Sequence, residues 1–184
     1  MHAVRSPTAA GRTRLSALLF CLALAGVWIP DRARADSASD AYLVVTSDNG
    51  AILAQLAMPE GARWCLGWNH SVRHFTVLDC YRHRAGNMEL ERSHQPDFAA
   101  GLGYTEGRGE LVSDGEGGYW IENINEPVPE NHYVLRVGSP QVDHRLLWQR
   151  DGKAYRLSLS EQAAGERVTL QLNQARQLSK PDDV

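Results

Sequence analysis

Sustained helical periodicity is missing from this 184-residue chain. Apart from one turn near residues 161–164, no segment repeats apolar residues at helical spacing over three turns, which excludes a helical bundle and a doubly wound α/β layer. Long apolar runs are scarce as well: the only one, residues 15–29, stops at Pro30 and Asp31, short of the roughly 20 residues that a bilayer takes. Clustered positive charge is absent, with Arg82/Arg84 and Arg145/Arg150 the nearest approach, so no phosphate-tracking nucleic-acid surface is expected. Catalytic signatures are absent too: there is no G-x-S-x-G elbow, H-E-x-x-H helix or catalytic Cys-His pattern. His70 and Ser71 are neighbours, but successive strand side chains point to opposite faces and make no nucleophile–base pair. Asp79 and Asp97 are the sort of carboxylates that acid–base hydrolysis uses, yet nothing sets their separation. The chain is therefore read as non-enzymatic, with a hydrolytic enzyme as an alternative.

What is present begins with the first 35 residues. Arg5, Arg12 and Arg14 precede the apolar run, and Ala33-Arg34-Ala35 closes it with small residues, the order of a secretory signal peptide cut after Ala35. Cys21 lies inside the apolar run behind Leu18-Leu19-Phe20, which is not a lipobox, and no adjacent arginine pair supports twin-arginine export. The expectation is an exported, periplasmic protein with no transmembrane segment once the leader is removed. Its parts are a signal peptide at 1–35, a flexible tail at 36–40, a single all-β domain at 41–173 and a polar tail at 174–184. Setting aside Arg5, Arg12, Arg14, Arg32, Arg34 and Asp31 leaves 14 basic and 21 acidic side chains from 19 and 22, a net charge near −7.

From residue 41 onward, short β-rich segments recur about every ten residues between Gly-, Asn- and Asp-containing turns. Residues 41–46 and 51–58 flank Ser47-Asp48-Asn49-Gly50, a strong hairpin signal. Residues 63–70 and 75–84 read as a second hairpin, followed by strands at 88–93, 118–124, 132–137, 144–149, 154–159 and 167–172. Such a series predicts a single-domain antiparallel β-sandwich or a partly closed barrel. Two stretches break it. Residues 95–109, rich in glycine, are either a functional loop or a plain crossover. Residues 113–118 lack the carboxylate spacing and terminal Glu of a calcium loop and read as a flexible hairpin tip.

Counting back from His70 opposite Phe75 in the second hairpin brings Cys65 directly across from Cys80. In an oxidising compartment this predicts a disulfide, against the alternative of two buried thiols. The same register puts Trp64, Leu66, Trp68 and His70 on one face with Phe75, Val77, Asp79 and Tyr81. That face should turn to the core, and its two polar members, His70 and Asp79, need partners. They are read either as a satisfied network locking the hairpin to a loop or as ligand contacts. The six histidines beyond the leader form no His-x-His pair, and no metal or other cofactor is expected. Trp64, Trp68, Trp120 and Trp148 sit in strand patterns and read as packing residues.

The run Trp68-Asn69-His70-Ser71-Val72, followed by Thr76-Val77 and then Asp79 before Tyr81, resembles the exported bacterial proteins grouped as domain-of-unknown-function family 1850. The family pattern carries Glu after His-Ser-Val, then Pro-Val and a second Glu. Arg73 and Thr76 depart from it, reversing one charge and loosening the turn. Phe98-Ala99-Ala100-Gly101-Leu102, Gly118-Tyr119-Trp120-Ile121, Leu135-Arg136-Val137-Gly138 and His144-Arg145-Leu146 follow in the expected order, so that the resemblance spans roughly residues 41–172. Members of that family are often encoded beside membrane subunits of tripartite ATP-independent periplasmic (TRAP) transporters of the TAXI class, importers of small organic anions. The resemblance thus implies an accessory protein or binding protein, partnered by a transporter membrane subunit, with a small organic anion as ligand. At this length the chain cannot hold the two α/β lobes of a solute receptor. The candidate contact residues are His70, Ser71, Asp79, Phe98, Gly101 and Tyr104, and a free periplasmic small-ligand or metal binder is the alternative.

Overall fold

A computed structural model describes residues 41–97 and 104–175. The leader, the 36–40 tail, Phe98, Gly101 and the last nine residues lie outside the described residues. The described residues form twelve strands: β1 (Ala41–Ser47), β2 (Ile52–Ala57), β3 (Arg63–Asn69), β4 (Thr76–Arg84), β5 (Asn87–Gln95), β6 (Glu110–Ser113), β7 (Tyr119–Glu122), β8 (Glu126–Pro127), β9 (His132–Arg136), β10 (Arg145–Arg150), β11 (Lys153–Ser158) and β12 (Arg167–Gln174). One helical turn, α1 (Ser160–Ala163), precedes β12. No helix among the described residues is long and apolar enough to cross a membrane.

The strands form two antiparallel sheets, a small one in the order β2-β1-β12-β9 and a large one in the order β11-β10-β3-β4-β5-β7-β6, with β8 paired to β5. This is an open β-sandwich with no closed barrel. Alternation along the strands sets the inner faces: Leu43, Val45, Val168, Leu170 and Leu172 from the small sheet meet Trp64, Leu66, Tyr81, Met88 and Leu146 from the large one, all buried. The first hairpin turns where Gly50 takes φ +85°, a conformation that favours glycine, while Asn49 Oδ1 accepts from Ala51 N at 3.0 Å.

Two strands escape the sequence pattern. All four residues of β6 are exposed on the sheet edge, so nothing imposes apolar alternation on them. β8 is two residues long and contains Pro127, which donates no backbone hydrogen bond. The 113–118 tip is also tied down: Asp114 Oδ1 accepts from the backbone N–H groups of Glu116 and Gly118 at 2.8 Å each, and Asp114 Oδ2 lies 2.8 Å from His94 Nε2. The hydrogen bond from His94, reinforced by those N–H groups, holds the Asp114 carboxyl below the usual range.

Candidate functional site

The β3–β4 register is Asn69↔Thr76 through Arg63↔Arg82, and it places Cys65 opposite Cys80. The two form a disulfide with a 2.07 Å S–S bond. At the end of this hairpin, the segments that carried the family resemblance converge on one hydrogen-bonded network. Asn69 N donates to Val142 O at 2.6 Å, and its side-chain oxygen accepts from Thr76 Oγ1 at 3.1 Å and Arg145 Nη1 at 3.3 Å. Arg145 also donates to Thr76 Oγ1, to the Asp143 carbonyl and to the Asp143 carboxylate. Arg156 reaches the same carboxylate at 2.7 Å. His144 Nδ1 accepts from Gly138 N at 2.8 Å, while Ser160 Oγ accepts from His144 N and donates to Gly138 O. Burial pushes the His144 pKa down, favouring the neutral ring whose lone pair that bond requires.

Beyond this network the chain makes a tight turn at Ser71–His74. His70 N donates to Phe75 O, His74 N to His70 O, and the His70 Nδ1 lone pair accepts from both Val72 N (3.3 Å) and Arg73 N (3.2 Å). The imidazole therefore acts as a cap under the turn, tilted against Phe75 at 5.2 Å between ring centroids. Arg73 pairs with Asp97 at 2.7 Å, tying the tip to the segment after β5. Where the family pattern has a glutamate and a proline, the Arg73–Asp97 ion pair and the Thr76 hydroxyl, which bridges Asn69 and Arg145, hold the turn. Ser71 is exposed, and Val72 is 73% exposed at the tip.

Asp79 lies in a different environment. It faces inward on β4 between Leu66 on β3 and Ser93 on β5, and its Oδ1 accepts from Ser93 Oγ at 2.7 Å. Burial raises its pKa, opposed by the Ser93 hydrogen bond and by the charge of Arg108. Next to it Tyr81 stacks between Trp64 (5.5 Å) and Tyr133 (5.4 Å). Burial and the neighbouring Asp79 push the Tyr81 phenol up to about 12, and burial pushes Tyr133 well above its ordinary value. Tyr133 Oη and Gln95 Oε1 are buried with no hydrogen-bond partner among the described residues. Tyr104 donates to Gly109 O at 3.1 Å, and Arg108 to Glu126 at 2.7 Å. The described end of the 95–109 connection thus lies against the Asp79 side of the sheet.

His70 and Asp79 are held by separate partners and do not form one site. Tyr104 is bonded to Gly109 O, away from His70, and Ser71 lies in the exposed turn. Ser93, Tyr133 and Arg108 lie around Asp79 without having been anticipated, while Tyr81 shares its face as the register predicted. A bulge between Cys80 and Tyr81 shifts the β4–β5 register by one residue, so counting outward from the Ala85-Gly86 turn puts Arg92, not Ser93, across from Asp79. No group of three or more His, Cys, Asp or Glu side chains suited to a metal occurs among the described residues. His70 and His74 are spaced His-x3-His, but the spacing falls in the turn rather than on a helix, and His70 Nδ1 is engaged by backbone N–H groups.

The outward face of the large sheet carries a concave basin of about 620 Å³, lined by Arg63, the Cys65–Cys80 disulfide, Glu91, Arg92 and Leu147 among others. Glu91 accepts from Arg63 Nε (2.6 Å) and Nη2 (2.9 Å), and that hydrogen bonding holds its carboxyl below the usual range.

Fold and site together define a disulfide-linked, two-sheet antiparallel sandwich with a capped hairpin turn at one end and a half-buried carboxyl at its seam. The family model described as Domain of unknown function (DUF1850) matches residues 65–157, half of the chain, and the chain belongs to that family. Comparisons with curated proteins and with solved structures returned no match.

Proposed function

We propose that this member of the family is a non-enzymatic, exported accessory protein, periplasmic once its leader is cut after Ala35. In this reading it works beside a TRAP-type organic-anion transporter and contacts the transporter's membrane subunit through the turn at His70. The observation that carries the reading is Val72: an apolar side chain, 73% exposed, at the tip of a turn whose backbone is held from beneath by His70. A side chain presented on an already ordered backbone loses little conformational entropy when a partner covers it, which favours a protein contact. The non-enzymatic reading is supported by the polar residues around the motif. Asn69, Thr76, Arg145 and His144 are taken up in bonds to one another or to backbone, and His70 Nδ1 is spent on the turn.

The test is in-cell crosslinking with a photoreactive amino acid at position 72, followed by capture of the tagged protein. Recovery of a transporter membrane subunit, lost in His70→Ala and weakened in a neighbouring-site variant Ser71→Asp, is the expected result. Recovery of no membrane protein would overturn the docking role. Recovery of an unrelated envelope protein would leave the turn as a docking surface and overturn the transporter assignment.

A further inference from the structure

We infer that the basin on the outer face of the large sheet binds a small monocarboxylate carrying an apolar group of aryl or short-chain size. Its volume of about 620 Å³ falls within the size range of small-ligand cavities, roughly 300–1,000 Å³. Trp64 and Tyr81 turn inward, so the cysteines beside them in β3 and β4 turn outward. The disulfide, Leu147 and Ala154 then give the basin an apolar lining. Sulfur makes favourable contacts with aromatic rings, which suits an aryl group there.

The charge comes from two arginines. Arg63 spends Nε and Nη2 on Glu91, and Arg92 spends Nη1 on Glu122 at 3.2 Å. Arg63 Nη1 and Arg92 Nε and Nη2 make no hydrogen bond among the described residues, and the two side chains are 57% and 41% exposed. These donors match a carboxylate, which accepts guanidinium N–H groups in charge-assisted bonds. Both arginines are already positioned, Arg63 by Glu91 and Arg92 by stacking 4.3 Å over Trp120, so a ligand orders little on binding. Glu91 sets the other limit. A single carboxylate takes the free donors, whereas a second negative charge meets Glu91. The site uses neither Val72 nor His70, and stands or falls independently of the docking turn.

Isothermal titration of the purified, oxidised protein with 4-phenylbutyrate and with its neutral amide tests the proposal, with a thermal melt of every variant as the check on folding. The acid is expected to bind at least about tenfold more tightly than the amide, the effect of losing one charge-assisted contact. Arg63→Gln and Arg92→Gln should each weaken the acid by a similar factor, and Arg136→Gln, outside the basin lining, should leave it unchanged. Ala154→Trp, on the exposed edge strand β11, should fill the basin and abolish binding while the fold persists. No heat with millimolar acid, equal affinity for acid and amide, or undiminished binding to Ala154→Trp would each overturn it.

Discussion

Removing the Cys65–Cys80 crosslink is the perturbation whose cost follows most directly from the structure. The two cysteines are 15 residues apart in sequence and face each other across β3 and β4, with Cα atoms 3.9 Å apart. Both strands are central in the large sheet, so the link joins parts of the molecule that are already paired in the folded state. Its stabilising effect therefore acts on the unfolded chain, where it closes a 15-residue loop, a constraint that contributes about 3 kcal/mol in the chain-entropy account. For a domain of this size each kcal/mol moves the melting temperature by roughly 3–4 °C, so Cys65→Ala/Cys80→Ala should melt about 10 °C lower. The assay is urea and thermal unfolding of the double variant beside the oxidised parent. The reasoning carries a second signature: without the crosslink the unfolded chain expands, so the urea m value should rise as stability falls. A melting point within 3 °C of the parent, or a loss of stability at an unchanged m value, would refute the unfolded-state explanation.

Three further predictions concern single side chains. Because burial raises the Asp79 pKa in the folded state, its contribution to stability is fully present below the unfolded carboxyl pKa and is lost as pH rises through the folded one. Asp79→Asn, which keeps an acceptor for Ser93, should therefore melt higher than the parent at pH 7, with the advantage vanishing in acid; a variant less stable at pH 7 would contradict the burial argument. Gly109 combines φ +77° with a site where an added Cβ would stand 2.5 Å from Glu122 O, so Gly109→Ala should cost about 1–3 kcal/mol by chemical denaturation. Arg145→Ala strips partners from Asn69, Thr76 and Asp143 at once and should cost about 2–3 kcal/mol, and Arg145→Lys should restore only part of it, because an ammonium cannot span the same fork of acceptors. Full recovery in the lysine variant, read by thermal melts, would show that charge alone matters.

Much of the fold was legible because short-range signals agreed with one another. The 47–50 turn, the β3–β4 register and the opposition of Cys65 and Cys80 all follow from alternation on either side of a tight turn, where counting residues is enough. Legibility failed where a tertiary neighbour decides. β6 exists as an edge through its pairing with β7, not through its own pattern. Ser93 meets Asp79 only because a bulge after Cys80 offsets β5 by one residue, and a bulge leaves no mark in a hydrophobic pattern. Asn69 and Arg145 are 76 residues apart, and no local spacing announces their contact.

The distribution of partners also alters how the motif residues should be interrogated. Asn69, Thr76, His144 and Arg145 are bonded into the end of the sandwich, so damage from replacing any of them reports first on stability. Val72 has the opposite character: exposed and carried by its neighbours' bonds, it should be replaceable at almost no cost to the fold. Asp79 stands between, since its burial opposes the charged form at neutral pH and a neutral residue of the same shape would be tolerated better. A half-buried acid that the fold would be more stable without is a reason to look for function at the Asp79 seam, among Ser93, Tyr81 and Tyr133. Variants at Val72 and Asp79 are therefore the ones in which lost activity and lost stability separate, and they distinguish a docking turn from a working seam where substitutions across the Asn69–Arg145 network cannot.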